Sequence, residues 1–379
     1  MKVLHLITRL DPGGSAENTL LTCHHLVENG WQARLAAGPG WTGKEANVGD
    51  ARVPVLLIPT MQRDPSPIAD ARAFWQIYRI LRRERPTILH THSAKAGVLG
   101  RWAGVAARVP VIVHTPHGHV LYGYARGLKN WIYLLAERMC APVSDSLVAL
   151  SEGEKRESAE AGIGALKKWT VVPSGVDVDG IERRPERPAG AKVRVGTVAR
   201  LEHVKGVDVL VRAASVLSSQ DLPDHEILVW GEGRERQELV DLTARLDVGH
   251  RVRFVGTEQP VEEFLGSLDV YTQPSRNEGM GRALVLAQAA GLPVAASSVC
   301  GIPDVVRDGE TGLLVPPDQP EALAGAIARF VRDPSTRDGF GDAARSWIMS
   351  HDETGYPRFS TAAMLWRLEA LYQQLSEDR

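Results

Sequence analysis

The sequence predicts an α/β protein built from two doubly wound, parallel-sheet domains, and three observations carry that expectation. Short β-branched runs alternate with longer stretches of helical period, the pattern of a parallel sheet with helices on both faces. The rhythm breaks once, over "VVPSGVDVDGIERRPERPAGAK" from Val171, and then restarts. The chain's 379 residues, 44% of them apolar, exceed what one core usually accommodates, so two domains of roughly 150 to 200 residues are expected.

Taken in order, "VLHLIT" reads as a strand followed by a helix over 15–29, "TILH" by a helix over 93–106, "VIVHT" by 126–140 and "SLVAL" by 152–161. After the break come "VRVGTVA" with 205–218, "EILVW" with 234–245, "VRFVG" with 261–266, "DVYTQ" with 282–290, then "PVAAS" and helical segments beyond Gln319. Both halves open alike, on a strand running into a glycine-bearing basic turn: "VLHLITRLDPGGSAEN" and "VRVGTVARLEHVKG". The expected division is an N-terminal domain over 1–172, a linker over 173–191, a C-terminal domain over 192–355, and a last helix over 356–379 that packs back toward the N-terminal domain.

A formal net charge of −2 leaves no wholesale basic surface, so nucleic acid is not an expected partner. Cys23, Cys140 and Cys300 are far apart and odd in number, which excludes a disulfide framework and a CxxC metal knuckle and fits a reducing cytoplasm. "MKVLHLITRL" is interrupted too soon by Arg9 and Asp11 to read as a signal peptide, and no apolar run approaches the ~18 residues of a spanning helix. The expectation is a soluble protein, at most attached to a surface.

Ligands of open parallel sheets sit at the carboxyl ends of the strands, so those ends are where chemistry is sought. Gly13 and Gly14 follow the first strand and head a helix whose N–H groups can receive an anion, or else form a loop that needs two flexible residues. Arg200 and Lys205 follow "VRVGTVA", with Gly206 before the next helix. They read as a fork and a point charge that clamp a diphosphate, or as two solvated cations. Glu278 stands in "PSRNEGMGRALVLAQAAGLPV", before a helix beginning near Arg282. An acceptor-only carboxylate there suits hydroxyls, while the N–H groups of Gly279 to Ala283 face negative charge; the alternative is that Glu278 caps its helix. Hydroxyls at one end and phosphate at the other describe a sugar on a diphosphate.

Three stretches, "VARLEHVKG", "PSRNEGMGRALV" running on to "AAGLPVAAS", and "GETGLLVPP", resemble the C-terminal signature of the retaining GT-B glycosyltransferases of family 4. "VPSGVD" resembles that family's interdomain segment, and the Gly13–Gly14 turn and "HTPHGH" its N-terminal motifs, in order over nearly the whole chain. The resemblance implies two Rossmann-like domains facing across a cleft and a nucleotide-diphosphate sugar donor held mainly by the C-terminal one. It also implies no metal, no further cofactor, and hexosyl transfer to an acceptor hydroxyl with retention of configuration. Arg200 and Lys205 match its diphosphate clamp, Glu278 the acid on donor-sugar hydroxyls, and His117 the histidine near the transferred sugar. Gly13, Gly14, Gly279, Met280, Gly281, Arg282 and Ala283 then lie along the donor. In the family pattern a second glutamate, eight residues after the first, grips the ribose; here that place is Leu286.

On the acceptor side, Ser93 and Lys95 stand at a helix start and Tyr122 and Tyr124 in a following loop. His90, His92, His114, His117 and His119 crowd the strand ends, but no acid lies among them, and the members of each HxH pair are expected to face apart, so no metal is assigned. "GEGRER" at Gly231 lacks the third glycine of a dinucleotide fingerprint. "ARAFWQIYRILRRERP" reads as a core helix with arginines at its C-terminal dipole, or as an interfacial helix giving peripheral contact with the inner membrane face. Beside the active transferase in polysaccharide, glycolipid or natural-product assembly stand two other readings: a non-catalytic relative that binds a sugar nucleotide or a partner, with Leu286 in place of the ribose-binding acid, and a sugar-phosphate phosphorylase of similar fold.

Overall fold

The computed structural model describes residues 1–10, 13–40, 53–62, 64–118, 128–188 and 190–378. They form two compact units: the first takes the residues up to Gly175 together with those from Met364 onward, the second Val176–Ala363.

The first unit alternates β1 (Lys2–Arg9), α1 (Gly14–Glu28), β2 (Gln32–Gly38), β3 (Val55–Leu57), α2 (Pro67–Glu84), β4 (Ile88–His92), α3 (Ala94–Ala107), β5 (Val111–Thr115), α4 (Leu128–Cys140), β6 (Ser146–Ala149), α5 (Glu152–Glu160) and β7 (Trp169–Val171). Its strands lie parallel in the order β3-β2-β1-β4-β5-β6-β7. β4, β5 and β6 are buried along their whole length, as strands covered by helices on both faces must be, and the β-branched content of "VIVHT" suits that place. Gly97 lets α3 come down on the sheet: a Cβ there would meet His114 Cε1 at 2.4 Å.

In the second unit the order is β8 (Val193–Val198), α6 (Val207–Ser218), β9 (His225–Trp230), α7 (Arg236–Arg245), β10 (Val252–Gly256), α8 (Val261–Gly266), β11 (Val270–Gln273), α9 (Arg282–Ala289), β12 (Val294–Ser297), α10 (Ile302–Val305), β13 (Gly312–Val315), α11 (Pro320–Arg332) and α12 (Pro334–Met349). The sheet runs β10-β9-β8-β11-β12-β13, again parallel. Counted within each unit, both sheets contain the strand order 3-2-1-4-5-6 of a dinucleotide-type Rossmann fold, the first with a seventh strand added. The reversal falls between β1 and β4 in one unit and between β8 and β11 in the other. Carboxyl ends of those four strands are therefore where each sheet leaves a crevice.

The last helix, α13 (Thr361–Glu377), belongs to the first unit's core: Met364, Leu368, Leu371 and Tyr372 pack with Val3, Ile7, Cys23, Leu35 and Val113. On α2, Ala73, Ile77 and Leu81 are core residues, whereas Trp75 is 57% exposed.

Candidate functional site

In the second unit, the switch point brings the β8 and β11 ends together. Beyond β8 the chain passes Arg200, turns once over His203–Lys205, and enters α6 through Gly206 at φ 64°. A Cβ at Gly206 would fall 2.0 Å from the Pro274 carbonyl oxygen, so only glycine lets this turn lie against the segment leaving β11. Lys205 Nζ thereby reaches Glu278 Oε2 at 2.5 Å, with both side chains mostly buried. Gln273 Nε2 donates to the same oxygen at 3.2 Å and Ser275 Oγ at 3.4 Å, while Tyr271 Oη donates to Gln273 Oε1 at 2.7 Å. A file of buried hydrogen bonds thus fixes the carboxylate from behind. Its backbone carbonyl accepts from Gly301 N–H at 3.0 Å.

Arg276 ties the two loops to each other. Its guanidinium donates to both oxygens of Asp208 at 2.8 and 2.7 Å, to Asp318 at 2.6 Å and to the His203 carbonyl at 2.6 Å, and its N–H reaches the Val204 carbonyl at 2.8 Å. Burial pushes the Asp208 carboxyl up, but the Arg276 hydrogen bonds and charge outweigh it and hold the group below its usual range. Arg200 is exposed and lies 3.4 Å from Glu202. The segment of Gly279, Met280 and Gly281 leads into α9, whose N-cap Gly281 has φ 89° and offers no side-chain cap. Glu278 directs its carboxylate at Lys205, Gln273 and Ser275 instead of capping that helix, so the first N–H groups, Arg282 and Ala283 among them, head a helix with positive dipole end. Leu286 is half-buried; Gln288, two residues on, is wholly buried and donates to the Val305 carbonyl at 3.1 Å.

In the first unit the switch point gathers the ends of β1 and β4 with that of β5. Gly13, at φ 149°, N-caps α1, which starts at Gly14. Ser93 Oγ lies 2.8 Å from Thr8 Oγ1, and Lys95 Nζ donates to Asp70 Oδ1 at 2.7 Å and to the Asp64 carbonyl at 2.5 Å, tying α3 to the start of α2. His117 stands at φ 60°, left-handed backbone that a non-glycine residue adopts rarely. The neighbouring Gly118 N–H donates to Glu154 Oε1 at 3.0 Å, and Glu154 Oε2 accepts from Leu150 N–H at 2.7 Å. His117 Nε2 is 2.9 Å from His92 Nδ1, and His92 Nε2 is 2.9 Å from His5 Nδ1. His90 Nδ1 is paired with Tyr372 Oη at 2.5 Å and His90 Nε2 with Thr115 Oγ1 at 2.7 Å. Burial lowers His117 to about 4 and His5 to about 3, and holds His90 and His92 well below their ordinary range. All four rings are neutral at neutral pH.

The expectation that the HxH partners face apart is corrected for "HTH". Side chains two apart on a strand share a face, and the His90 and His92 ring centroids are 4.1 Å apart. His114 turns to the other face, where its Nδ1 is 2.9 Å from Thr91 Oγ1. His119, Tyr122 and Tyr124 lie outside the described residues. Sequence reasoning missed His5, Glu154, Gln273 and Arg276. His5 sits in β1, and only the strand register places it opposite His90. His5, His90 and His92 bring ligand nitrogens within 4.8 Å of one another, a spacing a metal ion could use; the His90 and His92 nitrogens are directed at ring or hydroxyl partners, while His5 Nε2 has none among the described residues.

Residues 179–347 match the family model "Glycosyl transferases group 1", and residues 13–175 match "Glycosyl transferase 4-like domain". A D-inositol 3-phosphate glycosyltransferase of Corynebacterium aurimucosum is 31% identical over 309 residues, covering 75% of this chain and 71% of the relative. The UDP-Gal:alpha-D-GlcNAc-diphosphoundecaprenol alpha-1,3-galactosyltransferase of Escherichia coli is 28% identical over 295 residues, covering 75% and 76%. Among solved structures, sucrose-phosphate synthase from Thermosynechococcus elongatus superposes with a TM-score of 0.83 at 20% identity over 100% of both chains. Anabaena HepE in complex with UDP and glucose gives a TM-score of 0.78 at 19% identity over 98% of this chain and 99% of that one. At such identities the likeness speaks to the fold, two Rossmann-like α/β domains of the GT-B type.

Proposed function

This chain belongs to the group 1 glycosyl transferases and is a glycosyltransferase, and on that premise we propose that it transfers a hexosyl group from a UDP-sugar to an acceptor hydroxyl with retention of configuration and without a metal ion. The observation that carries the reading is the Lys205–Glu278 pair at the second unit's switch point, beside the N-terminus of α9. As the bond from the anomeric carbon to the diphosphate breaks, charge develops on the leaving group. Lys205 and the first N–H groups of α9 are fixed donors for it, with the exposed Arg200 a further cation, which is the work a metal does elsewhere. Glu278, held by Gln273 and Ser275, accepts from donor-sugar hydroxyls. The acceptor oxygen bonds the anomeric carbon on the face the diphosphate leaves, and its proton passes to a phosphate oxygen, so no protein nucleophile is needed. His117 is assigned a place beside the transferred sugar.

A panel of UDP-, GDP-, ADP- and dTDP-sugars, assayed for release of nucleotide in EDTA, tests the reading. UDP-sugars should turn over at full rate. Turnover of none of them, or activity that vanishes in EDTA and returns with a divalent ion, overturns it.

Leu286 makes a second expectation. It is half-buried on α9, about one turn past Arg282 at the helix start, so a carboxylate there need not be buried unpaired. Leu286→Glu should tighten UDP binding roughly 10- to 100-fold in calorimetry if one charge-assisted bond to a ribose hydroxyl forms, worth about 1.5–3 kcal/mol. Unchanged affinity places the ribose elsewhere.

The E. coli relative's name carries a lipid diphosphate acceptor, and we extend that class to this chain, with peripheral contact at the inner membrane face. On α4, Trp131, Ile132, Leu135 and Met139 are all exposed, an apolar face suited to such contact. Among the described residues no helix is long and apolar enough to cross a membrane. Wild-type protein should float with anionic vesicles and Trp131→Ser/Leu135→Ser should not; equal flotation removes this face from the reading.

A further inference from the structure

His5, His92 and His117 form a series of two imidazole–imidazole hydrogen bonds, each 2.9 Å long. A neutral imidazole has one N–H and one bare nitrogen, so both bonds must run in the same sense. In one sense His5 Nδ1–H donates to His92 Nε2 and His92 Nδ1–H donates to His117 Nε2. In the other, His117 Nε2–H donates to His92 Nδ1 and His92 Nε2–H donates to His5 Nδ1. The far end decides between them. His5 is wholly buried, and among the described residues its Nε2 has no hydrogen-bond partner. The first sense leaves a bare lone pair there; the second leaves a buried N–H with no acceptor, the rarer and costlier orphan. His90 does not relieve it, since both its nitrogens are taken by Tyr372 and Thr115.

The geometry points to His5 and His92 as positioning residues that fix His117 in its Nδ1–H tautomer, with Nε2 accepting from His92. Nδ1–H is the less favoured form of a histidine side chain in water, so the protein imposes it. The left-handed backbone of His117, φ 60°, and the buried Glu154 carboxylate on the next N–H hold the ring at the end of that series. The inference rests on the reading that places His117 beside the transferred sugar: the ring then offers the sugar a hydrogen-bond donor at Nδ1, to which a hydroxyl oxygen accepts.

Ring ¹⁵N chemical shifts of histidine-labelled full-length protein at neutral pH read the tautomer without an activity assay, with His117→Ala identifying the resonances. The wild type should show His117 protonated at Nδ1 and bare at Nε2. His5→Asp puts an obligate acceptor at the far end and should reverse both bonds, moving the His117 proton to Nε2 through a residue that does not touch it. His92→Phe removes the connection and should also shift His117 toward Nε2–H; it serves where the buried aspartate does not fold. Wild-type His117 protonated at Nε2, shifts unmoved in the folded variants, or one tightly bound metal atom per chain lost in His5→Phe would each overturn the proposal. Because no turnover is measured, these outcomes stand apart from failure of the donor panel.

Discussion

Lys205→Ala should lower kcat/KM by roughly 100- to 1,000-fold, the range seen when one preorganised donor to a developing anion is removed, while the melting temperature moves by only a few degrees. Lys205 contributes little to the core: it ends a short turn and pairs with Glu278 at a partly buried site. Without it the carboxylate still accepts from Gln273 and Ser275, so the fold keeps its polar partner while the proposed diphosphate site loses a cation. Arg200→Ala should cost less, and its cost should shrink as salt is raised, because its guanidinium is 59% exposed and screened by solvent. Near-normal turnover in Lys205→Ala, with folding verified by circular dichroism, would remove the diphosphate from this end of the sheet.

Gly206→Ala should be more damaging to the fold. The new Cβ would lie 2.0 Å from the Pro274 carbonyl oxygen, and the residue would have to keep φ near 64°. Neither neighbour is a flexible side chain that can swing away, so backbone must move; the sum of an imposed left-handed residue and a backbone clash is of order 3 kcal/mol or more. Movement also separates Lys205 from Glu278, so activity should fall with stability. Gly325→Ala is the contrasting variant: this glycine lies inside α11 with nothing within 4 Å of its would-be Cβ, and substitution should stabilise by about 0.5–1 kcal/mol. Denaturation midpoints that fall equally in both would show that contact with Pro274 is not the cause.

The strands and helices that fill the middle of each sheet were legible because burial on both faces writes long β-branched runs, as in "VIVHT" and "EILVW". Edge elements were not: β3 is three residues long and β7 also three, too short for any period to register, and β2, "QARLAAG", is rich in alanine and glycine. β13 lay inside "GETGLLVPP", which was matched as a motif and not as a strand. Around Glu278 the acid itself was legible from its place after a strand. Its supports, Gln273 and Ser275, were not, because a single-sided hydrogen-bond file has no sequence period. Arg276 belongs to no pattern along the chain, and only the fold shows that Asp208, far along the chain, is its bidentate partner. His5 was hidden for a similar reason. One histidine in an apolar strand carries no pattern; it gains meaning when the register sets it across from His90.

The insertion of Met364, Leu368, Leu371 and Tyr372 into the first unit's core has a consequence for how the molecule comes into being. On a ribosome, β7 emerges with Val171 and the whole parallel sheet of that unit is then available, yet Met364 follows 193 positions later. At about 5–20 residues per second that is a wait of roughly 10–40 s. During it Val3, Cys23, Leu26 and Val113 lack their last apolar neighbours, and the second unit, continuous in sequence, can complete its own sheet first. Nascent chains halted before residue 361 are therefore the form in which the earlier half is most open to chaperones and proteases.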